Sequence, residues 1–460
     1  MTNTLAKFCF VALIAFLAVT TLRAQSSSSP DVEVFFNYPV AAASSLNAEF
    51  TGSAISAKAV AMVEAAQFTV DLAAYNFDHA PLASALRRAS DRGVRVRVVT
   101  DIDTQHPSLL SPTPNYFWLA VNDRGLMHHK FLIVDAQDPE TSSVMMGSTN
   151  FTDANIYYFF NDAIVFRSHE LTAAYSLEFE LMWGSNTNIP DASRSRSGDS
   201  KPLRGITNFS VGGLQGDLYF SPNDDISSRI VAEIQEAETS IAFQLLVLTY
   251  DDIGDALVQA NDRGVNVFGI VDLIDGSSSK FGFLESRGVS IKAMVEEEGI
   301  VHHKYGVFDV EDGDEAVIIT GSHNWTYSAE TFHDENAMVL TGSAALAELY
   351  HEAARERHCL LSQGENCFEA VSANRETPLV EVTLGPNPTT GFVTITTTDK
   401  SKISAYRAFS ATGQQLQGGL MDRHVERHAL DFSHLAPQTI FLQLFTASGW
   451  SVGKPIYLTN

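Results

Sequence analysis

Leu126-Met-His-His-Lys-Phe-Leu-Ile-Val-Asp135 and Ile300-Val-His-His-Lys-Tyr-Gly-Val-Phe-Asp309 are two copies of one pattern, H-x-K-x(4)-D. A second short match, G-S-x-N, follows each copy as Gly147-Ser-Thr-Asn150 and Gly321-Ser-His-Asn324. The agreement covers both residue types and spacing, which chance does not readily produce twice. The chain therefore contains a duplication, and these stretches decide its fold.

Each copy has the pattern of a β-hairpin whose first strand begins inside the motif. The apolar runs Phe131 to Val134 and Tyr305 to Phe308 are followed by further apolar runs at Val144 to Met146 and Val317 to Ile319. Short apolar runs separated by polar residues predict strands joined by a turn. Side chains two apart on a strand share a face, so the first histidine and the lysine of each motif project together. The second histidine points away.

The aspartates that close the motifs, Asp135 and Asp309, lie five residues beyond the lysines. An odd separation places them on the opposite face of the strand, unless a bulge intervenes. We interpret them as structural partners rather than as groups that touch a substrate.

The sequence before each motif is duplicated as well. Apolar patterns predict a strand at 32–36, a helix near 56–66, a strand at 68–75, a helix at 81–92 and a strand at 94–100, and the series recurs at 217–220, 226–238, 240–248, 252–263 and 265–271. Asp91-Arg-Gly-Val94 and Asp262-Arg-Gly-Val265 mark the same helix end in both series, where glycine suits a left-handed cap. The two markers are separated by nearly the same length of chain as the two motifs, so one β-α-β-α-β unit has been copied.

We therefore predict an α/β protein with two pseudo-twofold-related β-α-β-α-β domains, at residues 32–192 and 205–370. The polar segment 193–204, which contains Gly and Pro, is predicted as the linker between them. Residues 378–460 are rich in Thr, Gly and β-branched residues, with short alternating runs and turn signals. This composition predicts a small C-terminal all-β sandwich.

The N-terminal segment 1–24 has Lys7, an apolar run and then Leu22-Arg-Ala24, which is typical of a secretory signal peptide. The alternative, an uncleaved membrane anchor, is disfavoured because the apolar run is short. Export would expose Cys359 and Cys367 to an oxidising compartment, so we predict a disulfide that closes a short loop. A metal site at these cysteines is disfavoured, because no second ligand pair at zinc spacing follows. We expect a secreted or cell-surface protein.

The charge of the chain limits the classes of partner. Its formal net charge is −25 at pH 7, and such a surface repels polyanions at long range. Affinity for nucleic acid normally depends on Lys and Arg that neutralise phosphates. The composition therefore disfavours a nuclease, although a local basic site is compatible with an acidic protein.

Two facing motifs would bring together two imidazoles, two ammonium groups and two G-S-x-N turns. This set suits a phosphodiester, because lysines neutralise the non-bridging oxygens, Ser and Asn donate hydrogen bonds to them, and two imidazoles divide nucleophilic attack and proton transfer. A lone histidine in an apolar strand is more often a core residue, and it is the second complete copy that favours catalysis. The lysines supply the positive charge that a metal would otherwise supply, so we predict no metal and no other cofactor. The candidate catalytic residues are His128, Lys130, His302 and Lys304, and the candidate phosphate-binding residues are Ser148, Asn150, Ser322 and Asn324.

With these motifs the chain resembles the phospholipase D superfamily over roughly residues 32–367. The resemblance implies that one motif histidine forms a covalent phosphohistidine, while the other acts as an acid and then activates the incoming water or alcohol. His128 is the expected nucleophile, since two-motif members commonly use the first copy. The resemblance also implies that a downstream acid orients each histidine. Glu335 fits that place in the second half, whereas the first half has Asn161 and Asp162, which leaves the partner of His128 open.

The C-terminal segment resembles the sorting domain of type IX secretion, through Gly385-Pro-Asn-Pro-Thr-Thr-Gly391, the Thr412-Gly413 turn, Leu435-Ala-Pro437 and Lys454. It departs from that family at Gln438-Thr-Ile-Phe441, where Gly-x-Tyr is usual. The resemblance implies recognition by a secretion machinery and export across an outer membrane. A carbohydrate-binding or adhesive module is the alternative, because a sandwich fold alone does not choose a function.

The function predicted from these features is that of a secreted, monomeric phospholipase D, which hydrolyses glycerophospholipids at a membrane surface to phosphatidic acid and free headgroup. The alternatives are an extracellular metal-independent endonuclease, a cardiolipin-hydrolysing or phosphatidyl-transfer enzyme of the same superfamily, and a surface adhesin. Aromatic residues at the pocket rim, with candidates at 116–118 and 157–160, would favour lipid, whereas a Lys/Arg track would favour nucleic acid. The segments 105–120 and 275–280 are expected to form pocket walls.

Overall fold

A computed structural model describes residues 31–38, 49–50, 54–121, 125–294, 300–362, 382–386, 388–397, 405–410, 415–420, 427–437, 439–446, 449–450 and 454–459. The predicted signal peptide and Cys367, the predicted disulfide partner of Cys359, lie outside these residues. Within them, no helix combines the length and the apolar character needed to cross a bilayer.

The first half of the chain is built on one eight-stranded sheet. Its elements are β1 (Val32–Phe36), β2 (Glu49–Phe50), α1 (Ala54–Ala65), β3 (Thr69–Ala74), α2 (Ala80–Asp91), β4 (Arg95–Asp101), α3 (Pro107–Leu110), β5 (Phe117–Val121), β6 (Lys130–Val134), β7 (Ser143–Gly147), α4 (Asp153–Tyr157), β8 (Asp162–Phe166) and α5 (His169–Trp183). The strand order is β2-β1-β8-β7-β6-β3-β4-β5. β3, β4 and β5 are parallel, and β6 joins them antiparallel as the first strand of the predicted hairpin.

The second half repeats this plan. Its elements are β9 (Thr207–Val211), β10 (Leu214–Ser221), α6 (Ile226–Glu236), β11 (Ser240–Leu245), α7 (Asp251–Asp262), β12 (Asn266–Val271), α8 (Phe281–Ser286), β13 (Ser290–Ala293), β14 (Lys304–Phe308), β15 (Val317–Gly321), α9 (Tyr327–Thr331), β16 (Glu335–Thr341) and α10 (Ala344–Leu361). The order β13-β12-β11-β14-β15-β16-β10-β9 contains the same succession of parallel strands, motif hairpin and antiparallel first strand. The predicted α/β fold with two equivalent halves is confirmed.

Equivalent positions start and end the helices of the two halves in the same way. Ser168 and Ser343 precede α5 and α10, and each side chain accepts a hydrogen bond from a backbone N–H in the first turn. Gly93 and Gly264 follow α2 and α7 with φ values of +91° and +92°, the left-handed conformation predicted for the Asp-Arg-Gly-Val markers.

Among the described residues, three apolar clusters form the core of the two halves, and one of them joins the halves. α1 and α2 pack with the first sheet in one cluster, and α6 and α7 pack with the second sheet in another. α5 and α10 contribute Tyr175, Phe179, Trp183 and Tyr350 to a third cluster, which also contains buried residues of both sheets. Because this shared cluster lies between the sheets, the two motif hairpins are held in fixed positions relative to each other.

The C-terminal segment forms two small antiparallel sheets. Its strands are β17 (Val382–Gly385), β18 (Phe392–Thr397), β19 (Ala405–Ser410), β20 (Gln415–Leu420), β21 (Arg427–Asp431), β22 (Thr439–Thr446), β23 (Gly449–Trp450) and β24 (Lys454–Tyr457). The orders are β17-β18-β21 and β20-β19-β22-β23, with β24 also paired to β22. Val393, Ile395 and Leu430 of one sheet share a core with Ile440 and Leu442 of the other, as a sandwich requires.

Candidate active site

The two motifs meet where the halves exchange backbone hydrogen bonds. The N–H of His128 donates to the carbonyl of Asp334 at 3.0 Å, and the N–H of His302 donates to the carbonyl of Phe160 at 2.9 Å. Each motif histidine is therefore fixed by the opposite half.

An aspartate at the end of a parallel strand holds the residue before each motif histidine. Asp101 Oδ2 accepts a hydrogen bond from the N–H of Met127 at 2.8 Å, and Asp272 Oδ2 accepts one from the N–H of Val301 at 2.7 Å. Sequence reasoning missed both aspartates. Their equivalent positions just after the third predicted strand of each half were the available signal.

The four candidate catalytic side chains share one buried site. His128 and His302 are each 6% exposed, and Lys130 and Lys304 are each 1% exposed. Lys304 of the second half lowers the pKa of His128, and Lys130 of the first half lowers the pKa of His302. The backbone hydrogen bonds of His128 and His302 to the opposite halves bring the two His–Lys pairs together, so both pairs face a common space.

The hydrogen-bond partners of the two histidines are crossed between the halves. His128 Nδ1 lies 2.7 Å from Glu335 Oε1, and His302 Nδ1 lies 2.9 Å from Asn161 Oδ1 and 3.1 Å from the carbonyl of Ser148. The expectation that Glu335 would serve the histidine of its own half is therefore wrong. Glu335 is the first residue of β16 and Asn161 immediately precedes β8, and the interface between the halves places each beside the motif histidine of the other half.

The partners differ in whether they can ionise, which makes the two histidines unequal. A carboxyl group faces His128, and a carboxamide, which cannot ionise, faces His302. Burial first, and then Lys130 and Lys304, hold the pKa of His128 well below its ordinary value. Burial raises the pKa of Glu335 to about 8, against the opposing effect of Lys130. An Nδ1 bond to either partner leaves Nε2 directed towards the common space.

Within the part of the chain that the structure describes, neither Lys130 nor Lys304 forms a direct ion pair, although Glu335 opposes the lowering of both pKa values. Each ammonium donates to the carbonyl of the histidine two residues before it. Burial lowers the pKa of Lys304 to about 7 and holds the pKa of Lys130 well below its usual value. Two buried ammonium groups repel each other when the site is empty, and a bound anion between them stabilises both. This is the electrostatic character of a phosphate site.

Asp162 is one of the two first-half residues between which the sequence leaves the partner of His128 open, and it lies behind the site rather than beside His128. Its Oδ1 lies 2.9 Å from His303 Nδ1 and accepts from Ser148 Oγ at 2.6 Å, and its Oδ2 accepts from the hydroxyl of Tyr350 at 2.7 Å. Burial opposes ionisation, but these bonds outweigh it and lower the pKa of Asp162. Asp162 therefore supports the layer behind the site.

The layer behind His128 contains a buried ion cluster. His129 Nε2 lies 3.0 Å from Glu178 Oε1, and Lys201 binds Glu178 and also Asp334, at 2.6 Å from Asp334 Oδ1. Despite burial, Lys201 and His129 lower the pKa of Glu178 to about 2. Lys201 belongs to the predicted linker segment 193–204, so that segment is attached to both halves.

The asparagine and the serine of each G-S-x-N turn differ in their hydrogen bonding. The Oδ1 atoms of Asn150 and Asn324 are buried and make no hydrogen bond within the described structure. The serines are already engaged, because Ser148 Oγ donates to Asp162 and Ser322 Oγ donates to Asn336 Oδ1 at 3.2 Å. The serines therefore brace the opposite strands.

The motif aspartates lie at the far ends of their strands and bind backbone. Asp135 accepts from the N–H groups of Gln67, Phe68 and Thr69 at 2.7–3.2 Å. Asp309 does the same at residues 238–240. They fix the turns that enter β3 and β11.

Aromatic rings complete the walls of the site. The ring of Tyr75 lies 4.8 Å from that of His128, and the ring of Phe159 lies 6.1 Å from that of His302. His333 is a third histidine near the site, with its ring 6.3 Å from His128. Sequence reasoning missed the roles of Tyr75 and His333. Within the described residues, no group of three or more His, Cys, Asp or Glu side chains has the arrangement of a metal site.

Comparison with known proteins agrees with this geometry. The family model described as "Cardiolipin synthase, PLD-like domain" matches residues 60–183 and 230–357, one match in each half. A mitochondrial cardiolipin hydrolase of Drosophila melanogaster is 31% identical over 147 residues, which cover 28% of this chain and 58% of that protein. A phospholipase D of Rickettsia prowazekii (strain Madrid E) is 31% identical over 132 residues, which cover 28% of this chain and 62% of that protein. The chain spans about half the length of the curated relatives it matches.

Among solved structures, the phosphatidylserine synthase of Haemophilus influenzae Rd KW20 superposes with a TM-score of 0.50 and 11% identity, covering 72% of this chain and 86% of that one. This likeness concerns the fold alone. The family match includes both halves and more than half of the chain. The chain therefore belongs to the family of phospholipase D-like domains.

Proposed function

We propose that the protein is a phosphodiesterase that hydrolyses glycerophospholipids to phosphatidic acid and free headgroup. The observation that carries this proposal is the convergence of two buried His–Lys pairs, one from each half, whose histidines are each held by hydrogen bonds with the opposite half. Both pairs belong to one chain, so a monomer holds a complete set of catalytic groups.

The unequal partners of the histidines assign their roles. In the form in which Glu335 is ionised, His128 attacks phosphorus through Nε2, and the carboxylate, 2.7 Å from Nδ1, balances the positive charge that develops on the ring. His302 protonates the departing alkoxide and afterwards removes a proton from the water that releases phosphatidic acid. Lys130 and Lys304 neutralise the non-bridging oxygens, so these steps need no metal or other cofactor.

Exposed apolar side chains near the motifs favour a lipid surface as the source of substrate. Ile102 and Leu273, 58% and 54% exposed, directly follow the two aspartates that hold the motif strands. Tyr158, 73% exposed, precedes Phe159 at the wall beside His302. Apolar and tyrosine side chains suit the boundary of a bilayer, whereas the net charge of −25 opposes approach to nucleic acid.

The proposal places the protein outside the cell. The N-terminal segment 1–24 has the composition of a signal peptide, and the C-terminal sandwich carries the features that resemble a type IX sorting domain. Immunoblotting of culture medium, outer membrane and cytoplasm tests this, with a variant that ends at residue 377 as comparison. Retention of the full-length protein in the cytoplasm would contradict it, and so would equal export of both forms.

An assay on purified full-length protein tests the activity. Vesicles of phosphatidylcholine, phosphatidylethanolamine or cardiolipin and single-stranded DNA are offered with and without chelator, and His128→Ala and His302→Ala serve as inactive variants. We expect phosphatidic acid release that survives the chelator and is lost in both variants. Cleavage of DNA alone would identify the endonuclease alternative, and unchanged biological activity of both variants would leave the adhesin.

The assignment of the nucleophile has its own test. The p-nitrophenolate released from bis(p-nitrophenyl) phosphate needs no proton. In the His302→Ala variant, His128 should therefore still attack this substrate, and the variant should retain a covalent p-nitrophenylphosphoryl group. Intact-protein mass spectrometry after acid-free quenching should show this adduct in His302→Ala and none in His128→Ala. An adduct confined to His128→Ala would reverse the roles.

A further inference from the structure

The pseudo-twofold relation places Phe159 and His333 at equivalent positions. Each lies two residues before the partner of a motif histidine, Asn161 in one half and Glu335 in the other. The carbonyl of Phe159 accepts a hydrogen bond from Asn37, and the carbonyl of His333 accepts one from Ser221 Oγ at 3.1 Å. The two side chains therefore start from equivalently anchored backbone.

Their rings occupy equivalent places beside the two motif histidines. Phe159 lies 6.1 Å from His302, and His333 lies 6.3 Å from His128. One side of the cleft thus presents a hydrocarbon ring, and the other presents an imidazole.

A second pair of equivalent positions has the same difference in polarity. The N–H of Tyr75 donates to the carbonyl of His129, and the N–H of Leu246 donates to the carbonyl of His303. The ring of Tyr75 lies 4.8 Å from His128. A tyrosine therefore stands beside His128 at a position whose equivalent in the other half is the apolar Leu246.

His333 retains hydrogen-bonding capacity that the protein does not use. Its Nδ1 is buried and makes no hydrogen bond within the described structure, and its nearest carboxylate oxygen, Glu335 Oε1, is 3.9 Å away. The side chain is 19% exposed. Burial, and then His323 and Lys130, lower the pKa of His333 to about 4, so the ring is neutral near pH 7 and offers one donor and one acceptor.

We propose that His333 contacts the substrate and, together with Phe159, fixes the direction in which an asymmetric phosphodiester lies across the two histidines. His333 donates a hydrogen bond to an oxygen of the alcohol that stays on phosphorus, and Phe159 packs against the alcohol that leaves. The ester oxygens of a glycerophospholipid supply such acceptors on the retained side. The leaving alcohol begins with methylene groups, which suit an aromatic face. This inference rests on the proposed function.

The test exchanges the two residues. His333→Phe, Phe159→His and the double exchange are compared with the unmodified protein on two substrates. Bis(p-nitrophenyl) phosphate is symmetric and reports the chemistry alone. Dihexanoylphosphatidylcholine is asymmetric, because release of choline reports one direction and release of phosphocholine the other. His351→Phe, the same substitution on α10 where His351 packs against Phe268, is the matched control.

We expect His333→Phe to raise KM for the phosphatidylcholine about tenfold, the effect of one hydrogen bond, and to change turnover of the symmetric diester less. The fraction of phosphocholine should rise in both single variants and most in the double exchange. His333→Gln, which keeps a donor, should restore most of the selectivity. His351→Phe should match the unmodified protein.

Unchanged product ratios and unchanged KM in variants that still cleave the symmetric diester would overturn the inference and leave the proposed function standing. Absence of turnover on both substrates by the unmodified protein would instead overturn the proposed function. If His333→Phe fails to fold, the comparison of Phe159→His with His333→Gln decides between the outcomes.

Discussion

Binding of a phosphodiester should make the protein take up protons at pH 8, and Lys304 should account for about one of them. Burial lowers its pKa from 10.5 to about 7. This shift means that the ammonium form of Lys304 is destabilised by roughly 5 kcal/mol in the empty site, relative to a lysine in water. At pH 8 about one tenth of Lys304 is protonated in the free protein, so an anion that restores an ordinary pKa adds about 0.9 proton.

The sign of the pH dependence follows from the same shift. Below pH 7 the ammonium is already present and binding needs no proton from Lys304. Above pH 7 each bound anion must recruit one, so affinity should weaken as pH rises, by up to about tenfold per unit for this group.

Titration calorimetry measures the uptake directly. Dimethyl phosphate carries one charge that does not titrate near pH 8, and buffers of different ionisation enthalpy separate proton uptake from binding heat. Lys304→Arg keeps its charge, so its uptake should be lower by about 0.9 proton. Lys58→Arg, at the ion pair between α1 and Glu33, is the control and should match the unmodified protein. Equal uptake by Lys304→Arg and the unmodified protein would refute the reasoning.

Three further changes follow from contacts in and behind the site. Glu335→Gln should lower kcat by about 10² to 10⁴ with KM nearly unchanged, because the positive charge on His128 in the transition state loses its counter-charge. Steady-state kinetics on phosphatidylcholine measure both constants, and an effect confined to KM would contradict this prediction. Lys201→Met should cost about 3–5 kcal/mol of unfolding free energy in urea, since Glu178 and Asp334 would be left buried without their cation; a cost near zero would show that the cluster relaxes. Gly147→Ala should cost about 2–4 kcal/mol by the same measurement, because φ is +153° and a Cβ would lie 2.4 Å from the carbonyl of Asp162; full stability would mean that the turn shifts.

The hairpins and the shared face of each His–Lys pair were predictable because they depend on local spacing. Strand periodicity is set by the backbone, so the position of Lys130 relative to His128 needs no tertiary information. The helix ends at Gly93 and Gly264 were predictable for the same reason, since the need for a left-handed residue is local.

The crossed partners were not predictable in this way. Alignment of the halves shows that Glu335 and Asn161 are equivalent, but equivalence does not say which histidine each one reaches. The contact between His128 and Glu335 depends on how the halves pack, which local patterns do not encode. The segment 193–204 shows the same limit, because its polar composition predicted a linker and gave no sign that Lys201 would be buried in an ion cluster.

A duplicated site starts with two identical histidines, whereas the proposed reaction needs two different ones. The difference arises at one pair of adjacent positions, which read Asn161-Asp162 in one half and Glu335-Asn336 in the other. Each half has one carboxyl and one amide at these positions, in opposite order. The carboxyl of Glu335 therefore faces the site beside His128, whereas the carboxyl of Asp162 lies behind the site beside His303.

Because of this difference, His302 has no carboxyl group as its hydrogen-bond partner among the described residues. His128, His129 and His303 each lie within 3.0 Å of a carboxyl oxygen, whereas His302 bonds two neutral oxygens. Burial and both lysines lower the pKa of His302 further. The proton that His302 gives to the leaving group is therefore not held by the protein alone, and the negative charge of the bound phosphodiester must stabilise it. In this arrangement substrate binding itself creates the general acid.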